Sequence, residues 1–126
     1  MPHLTLEYSS NLPGFDAQAA LAHVNQMLDA SGLFREIDIK SRAYPCPQFQ
    51  VGLADSGRGF IHARIAIMPG RTDQQKADLT QAALHALRQQ LPTLADVHVQ
   101  ISVELYELDA ASYAKDSLVG GVSIGH

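Results

Sequence analysis

Four residues of this chain could together carry out acid–base chemistry on an anion: Pro2, Lys40, Arg42 and Arg71. Proline follows the initial methionine directly, and methionine before a small second residue is usually trimmed. Trimming would leave Pro2 with a free secondary amine. A free α-amine titrates near pH ~8, and burial or neighbouring cations lower that value. Such a nitrogen is a general base that needs no side chain. Met-Pro starts are common, so the reading depends on what surrounds the amine. Arg71 follows Pro69-Gly70 at the mouth of an expected helix. There its guanidinium and the helix N-terminus both attract a carboxylate. Lys40 and Arg42 alternate onto one face of an expected strand, and the same cations would help keep Pro2 neutral.

The elements that must position these groups follow from periodicity. Leu4, Leu6 and Tyr8 alternate, which predicts a half-buried strand. Its first residues hold Pro2 at the edge of the sheet rather than on a loose tail. Asn11-Leu12-Pro13-Gly14 is a turn, and Asp16 caps a helix marked by Leu21, Val24, Met27 and Leu28. Ser31-Gly32 ends that helix. A second strand is expected over about 36–44, with Ile37 and Ile39 on one face, broken by Pro45-Cys46-Pro47. The residues up to about Gly59 read as a loop or short hairpin.

The plan then repeats. A strand from Phe60 to Met68 places Ile61, Ala63, Ile65 and Ile67 on one side. Pro69-Gly70 turns the chain, and Thr72 with Gln75 has capping-box form. Leu79, Ala83, Leu87 and Leu91 mark a long helix closed by Pro92, and Val97 to Leu105 alternate as the last strand. Two β-α-β units, about 2–44 and 60–106, each with parallel strands, predict an α+β domain. Its four-stranded sheet carries both helices on one face. A pocket shared by Pro2 and the strand C-termini requires the units to run antiparallel, or a neighbouring subunit to contribute.

The other face of the sheet is polar, with His3, Thr5, Glu7, Asp38, Lys40, Arg42, His62, Arg64, His98, Gln100, Ser102 and Glu104. It is either solvated or a surface on which sheets meet around a symmetry axis. Arg64 is expected to pair with Glu7 or Glu104. Beyond the second unit lies an arm of about 107–126, whose segment Asp116 to Ile124 reads as a short apolar strand. It can pair with a neighbour's sheet edge or fold back on its own sheet.

The 126 residues suffice for one domain. Net charge of −4, with only 9 Lys and Arg, argues against nucleic acid, which needs clustered cations in excess. No stretch approaches the ~20 apolar residues of a membrane span, and no signal peptide precedes the first strand. A single cysteine, Cys46, allows no internal disulfide and suits a reducing cytoplasm. The six histidines show no metal-ligand spacing, although His3, His62 and His98 could converge across three strands. No nucleophile elbow, Walker loop or dinucleotide fingerprint is present.

Further pieces recur in order: Pro2-His3, Glu7-Tyr8-Ser9, Val24-Asn25, Gly32-Leu33-Phe34, Ser41-Arg42, Phe60-Ile61-His62 and Gly70-Arg71. With the N-terminal proline on a β-α-β-β-α-β chain, they resemble the tautomerase superfamily. Within it the chain looks like the 5-carboxymethyl-2-hydroxymuconate Δ-isomerases. The resemblance implies a cytoplasmic, cofactor-free isomerase of aromatic catabolism, forming trimers whose sheets line a central barrel. It implies Pro2 as general base and Arg71, Arg42 and Lys40 as the cations that hold a small anionic di- or tricarboxylate. Where the family carries arginine this chain has Lys40, which brings charge without a bidentate fork. Two other readings stand beside it. One is a tautomerase of a smaller 2-oxo acid such as phenylpyruvate. The other is a non-catalytic oligomeric binding module, if Met1 is retained and the Pro2 nitrogen stays an amide.

Overall fold

The computed structural model describes residues 1–125. Strand β1 (His3–Ser9) leads to helix α1 (Ala17–Ala30) and strand β2 (Lys40–Cys46). Strand β3 (Arg58–Ile67), helix α2 (Asp73–Gln90) and strand β4 (His98–Glu107) repeat the plan. The sheet order is β2-β1-β3-β4. β1 and β2 are parallel, β3 and β4 are parallel, and the two units meet through the antiparallel pair β1–β3. The fold is thus α+β with a four-stranded sheet and two helices, as the periodicity predicts, and the sheet is mixed. The antiparallel junction sets the start of β1 beside the end of β3, in the register His3 to Ala66.

The helices begin where their caps require. The Asp16 carboxylate accepts from the Ala19 amide at 3.1 Å. Thr72 Oγ1 accepts from the Gln75 amide, and Gln75 Oε1 accepts from the Thr72 amide, closing the expected box. Between helices and sheet, Leu4, Leu6, Ile61, Ile65 and Ile67 meet Val24, Leu28, Leu79 and Leu87 in one buried cluster. At about 1.5–3 kcal/mol for each large side chain removed from water, this layer fixes which face of the sheet is left open.

Four expectations need correction. The second strand starts at Lys40, because Glu36–Asp38 form a 3-10 turn closed by Asp38 N–H to Arg35 O and Ile39 N–H to Glu36 O. Ile37 is therefore 69% exposed while Ile39 is buried, and Asp38 stands outside the sheet face. Pro45 does not break β2, which runs through it to Cys46. β2 is an edge strand, and the Lys40 amide points inward to the Pro2 carbonyl at 3.1 Å. Alternation aims the nitrogen of Pro45 outward, where no hydrogen bond is lost.

Nor does Pro2 lie at a sheet edge: it precedes β1, an inner strand flanked by β2 and β3. Finally, the segment after Asp116 is a hairpin rather than one strand. Leu118–Val119 pairs with Val122–Ser123 across Gly120-Gly121, both at positive φ, apart from the main sheet. Among the described residues, no helix is long and apolar enough to cross a membrane.

Candidate active site

Pro2 is buried at the mouth of β1, and its nitrogen is acylated by Met1, whose α-amine marks the site. That amine lies 3.8 Å from the Asp38 carboxylate. The 3-10 turn supplies Asp38, and β2 places Lys40 beside it, where Lys40 Nζ donates to the Asp38 carbonyl at 2.9 Å. Lys115, reaching in from the C-terminal arm, donates to Asp38 Oδ1 at 2.7 Å. Arg71, on the turn after β3, donates through Nη2 to the Leu33 carbonyl and lies 5.2 Å over the Phe34 ring.

The electrostatics follow from these placements. Burial lowers the pKa of the amine below its ordinary value, Asp38 opposes the change, and Lys40, Lys115 and Arg71 add to it. Asp38 is held below the usual carboxylate range by the Lys115 hydrogen bond, against a smaller desolvation effect. A lowered amine pKa is what an acid–base nitrogen working near neutrality requires.

One pleat further along, burial and then the Arg42 charge lower the pKa of His3, which favours a neutral ring. Arg42 Nη2 stands 3.0 Å from His3 Nδ1, and His3 Nε2 stands 3.2 Å from the Tyr113 hydroxyl. Tyr113 in turn donates to Met1 Sδ at 2.6 Å.

The structure brings Lys40 and Arg71 to the amine end, whereas Arg42 reaches the same region through His3. Three members were not found by reading the sequence. Alternation in the sequence puts Asp38 on the sheet face, and Tyr113 and Lys115 lie in an arm about 110 residues from Pro2, with no spacing to flag them. Elsewhere on the polar face, Arg64 pairs with Glu7 at 3.4 Å, as expected. His62 meets Ser102 at 2.7 Å and Glu104 at 2.8 Å, well away from His3 in register, so the three histidines do not converge. Among the described residues no group of His, Cys, Asp and Glu is arranged to hold a metal. Cys46 lies at the far end of β2, opposite Ser9.

A mixed sheet of two parallel pairs with two helices defines the tautomerase-like class of fold, and Pro2 enters it between two strands. The family model for 5-carboxymethyl-2-hydroxymuconate isomerase matches residues 2–120, and the chain belongs to that family of isomerases. It is similar to the crystal structure of a 5-carboxymethyl-2-hydroxymuconate isomerase from Deinococcus radiodurans R1. The two share 28% identity at a TM-score of 0.86, over 93% of this chain and 90% of that one. A 5-carboxymethyl-2-hydroxymuconate delta-isomerase structure is 22% identical over 93% of this chain and 89% of that one, at a TM-score of 0.79. A fused 4-OT wild-type symmetric trimer shares the fold at 17% identity, over 96% of this chain and 94% of that one, with a TM-score of 0.68. No match is found among curated proteins.

Proposed function

We propose that this isomerase moves a double bond in a hydroxymuconate-like di- or tricarboxylate of the 5-carboxymethyl-2-hydroxymuconate type. Trimming of Met1 turns the Pro2 nitrogen from an amide into a secondary amine, in the environment that already lowers the pKa of the Met1 amine. Neutral Pro2 takes a proton from the dienol substrate and returns it at another carbon, so the catalyst ends unchanged. Lys40 and Arg71 hold carboxylates and favour the enolate-like transition state, and Arg42 completes the cationic wall. No cofactor takes part in this reaction. The observation that carries the reading is the convergence of Lys40, Lys115 and Arg71 on one partly buried α-amine at the start of β1.

The same reading includes a homotrimer in the cytoplasm, serving aromatic-compound breakdown. Leu118, Val119, Val122 and Ile124 are each 60% exposed or more on the C-terminal hairpin, a surface suited to a second copy. The open polar face of the sheet would then line the interior of the assembly. The fused 4-OT relative is itself a symmetric trimer.

The test is the isomerisation rate of 5-carboxymethyl-2-hydroxymuconate, followed by ultraviolet absorbance, with protein whose N-terminus is verified as Pro2. Pro2→Ala is expected to lower kcat by about 10²-fold or more. Absence of turnover by correctly trimmed protein rejects the assignment and directs attention to smaller 2-oxo acids such as phenylpyruvate. Those substrates need fewer cations, and a rate that ignores the number of substrate carboxylates would favour them. If Met1 is retained in the native protein, a binding module without proline chemistry remains on the same scaffold.

A further inference from the structure

Arg42, His3 and Tyr113 form a chain of hydrogen bonds whose direction is fixed by one of its members. A guanidinium only donates, so His3 Nδ1, 3.0 Å from Arg42 Nη2, must be the accepting nitrogen of the ring. The proton of neutral His3 then sits on Nε2 and is given to the Tyr113 oxygen, 3.2 Å away. With that oxygen accepting from His3, the Tyr113 proton points elsewhere, and it points at Met1 Sδ. Thioether sulfur is a weak acceptor. The bond cut when Met1 is removed is the one to the Pro2 nitrogen, so the volume that Met1 vacates adjoins the amine. Tyr113 is left with a donor aimed into that volume and, among the described residues, no other hydrogen-bond acceptor for it.

We propose that Tyr113 is a further catalytic residue: once Met1 is gone, its hydroxyl donates a hydrogen bond to the substrate oxygen that becomes enolate-like. His3 and Arg42 are positioning residues that hold this donor in one orientation. The proposal rests on the reading of Pro2 as the base, and divides the labour at the site. Pro2 carries the proton, Lys40 and Arg71 take carboxylates, and Tyr113 takes the oxygen at carbon 2. A donor already aimed at the place where charge develops needs no reorganisation during the reaction.

Two readouts on Pro2-terminated protein test it. In the isomerase assay, Tyr113→Phe should lower kcat by about 10- to 100-fold with little change in KM. His3→Phe should do the same, and His3→Gln, whose amide can still donate to Tyr113, should recover most of the loss. A merely structural contact would not distinguish Gln from Phe. The second readout needs no turnover: calorimetric Kd for 2-oxoadipate and for adipate, two dicarboxylates that differ by one oxygen. The wild type should favour 2-oxoadipate, and Tyr113→Phe should remove about 10-fold of that preference while leaving adipate binding alone. If Pro2→Ala remains active, the base assignment fails, and the 2-oxoadipate preference still decides the role of Tyr113. An unchanged kcat in Tyr113→Phe, or a preference that is absent in the wild type or survives the substitution, overturns the proposal.

Discussion

At one end of the sheet the Lys40 amide donates to the Pro2 carbonyl at 3.1 Å; at the other, the His98 amide donates to the Gly57 carbonyl at 2.8 Å. The repeat of β-α-β units places the same bond at both ends. It also puts an aspartate two residues before each donor, Asp38 at the first and Asp96 at the second. The ends nevertheless differ in chemistry. At the first, Lys40, Lys115 and Arg71 act on one partly buried amine. At the second, Gly57 is reached through a loop, its nitrogen is an ordinary amide, and a cavity of about 390 Å³ holds a single cation, Arg58, whose Nη1 donates to the Val51 carbonyl at 3.4 Å. A backbone frame can be duplicated without duplicating a site, because the site depends on an amine and on which side chains the connections carry past it.

The contrast is broken most severely by removing its cations. Arg71→Ala should lower kcat/KM for the dicarboxylate by about 10²-fold, since it removes a charge-assisted contact from the reacting end. Arg58→Ala, at the other end, should leave kcat/KM within about 2-fold. Equal losses in steady-state assays of the two variants would erase the distinction between the ends.

A smaller effect separates stability from activity. A Cβ at Gly59 would stand 2.7 Å from Ser9 Oγ, 2.9 Å from Asn11 Oδ1 and 3.0 Å from Leu12 Cδ2. Gly59→Ala should therefore cost about 1–3 kcal/mol in urea unfolding, by overpacking the end without an amine. Its kcat per folded molecule should stay unchanged, and a matching fall in kcat would show that the two ends communicate.

The smallest effect sharpens the electrostatic account. A base works only when unprotonated, so with Pro2 as the proposed base activity should be lost as pH falls through its pKa, in surroundings that lower the pKa of the Met1 amine. Lys115 lowers that pKa directly and also neutralises Asp38, which raises it. Lys115→Met should move the acidic limb of kcat/KM upward, and Asp38→Asn should move it downward. A limb that stays in place in both variants would show that the pair does not act on the base.

The helices and the inner strands were legible because their signals are local. Asp16, Thr72 and Gln75 announce the helix starts, and the run Ile61, Ala63, Ile65 and Ile67 can only alternate into a core. The start of β2 was not legible, since Ile37 and Ile39 alternate equally well in a strand and in a 3-10 turn that exposes one and buries the other. Pro45 misled because a proline breaks an inner strand but not an edge with its nitrogen outward, and strand order is a tertiary fact. Near the first residues, Arg71 and Lys40 stand out in the sequence by their place next to a turn and in a strand. Tyr113 and Lys115 do not, because only the folded path of the arm brings them to the first residues.

Whether the Pro2 amine is the base is decided by comparing two preparations of one protein that differ only in the N-terminal residue. Mass spectrometry would establish Pro2 or Met1 as the first residue, and the isomerisation of 5-carboxymethyl-2-hydroxymuconate would be timed for each. With Pro2 as the base, the Pro2 form should turn over and the Met1 form should be slower by about 10²- to 10⁴-fold, the range of one acid–base group. Equal rates for the two forms would contradict that role for Pro2.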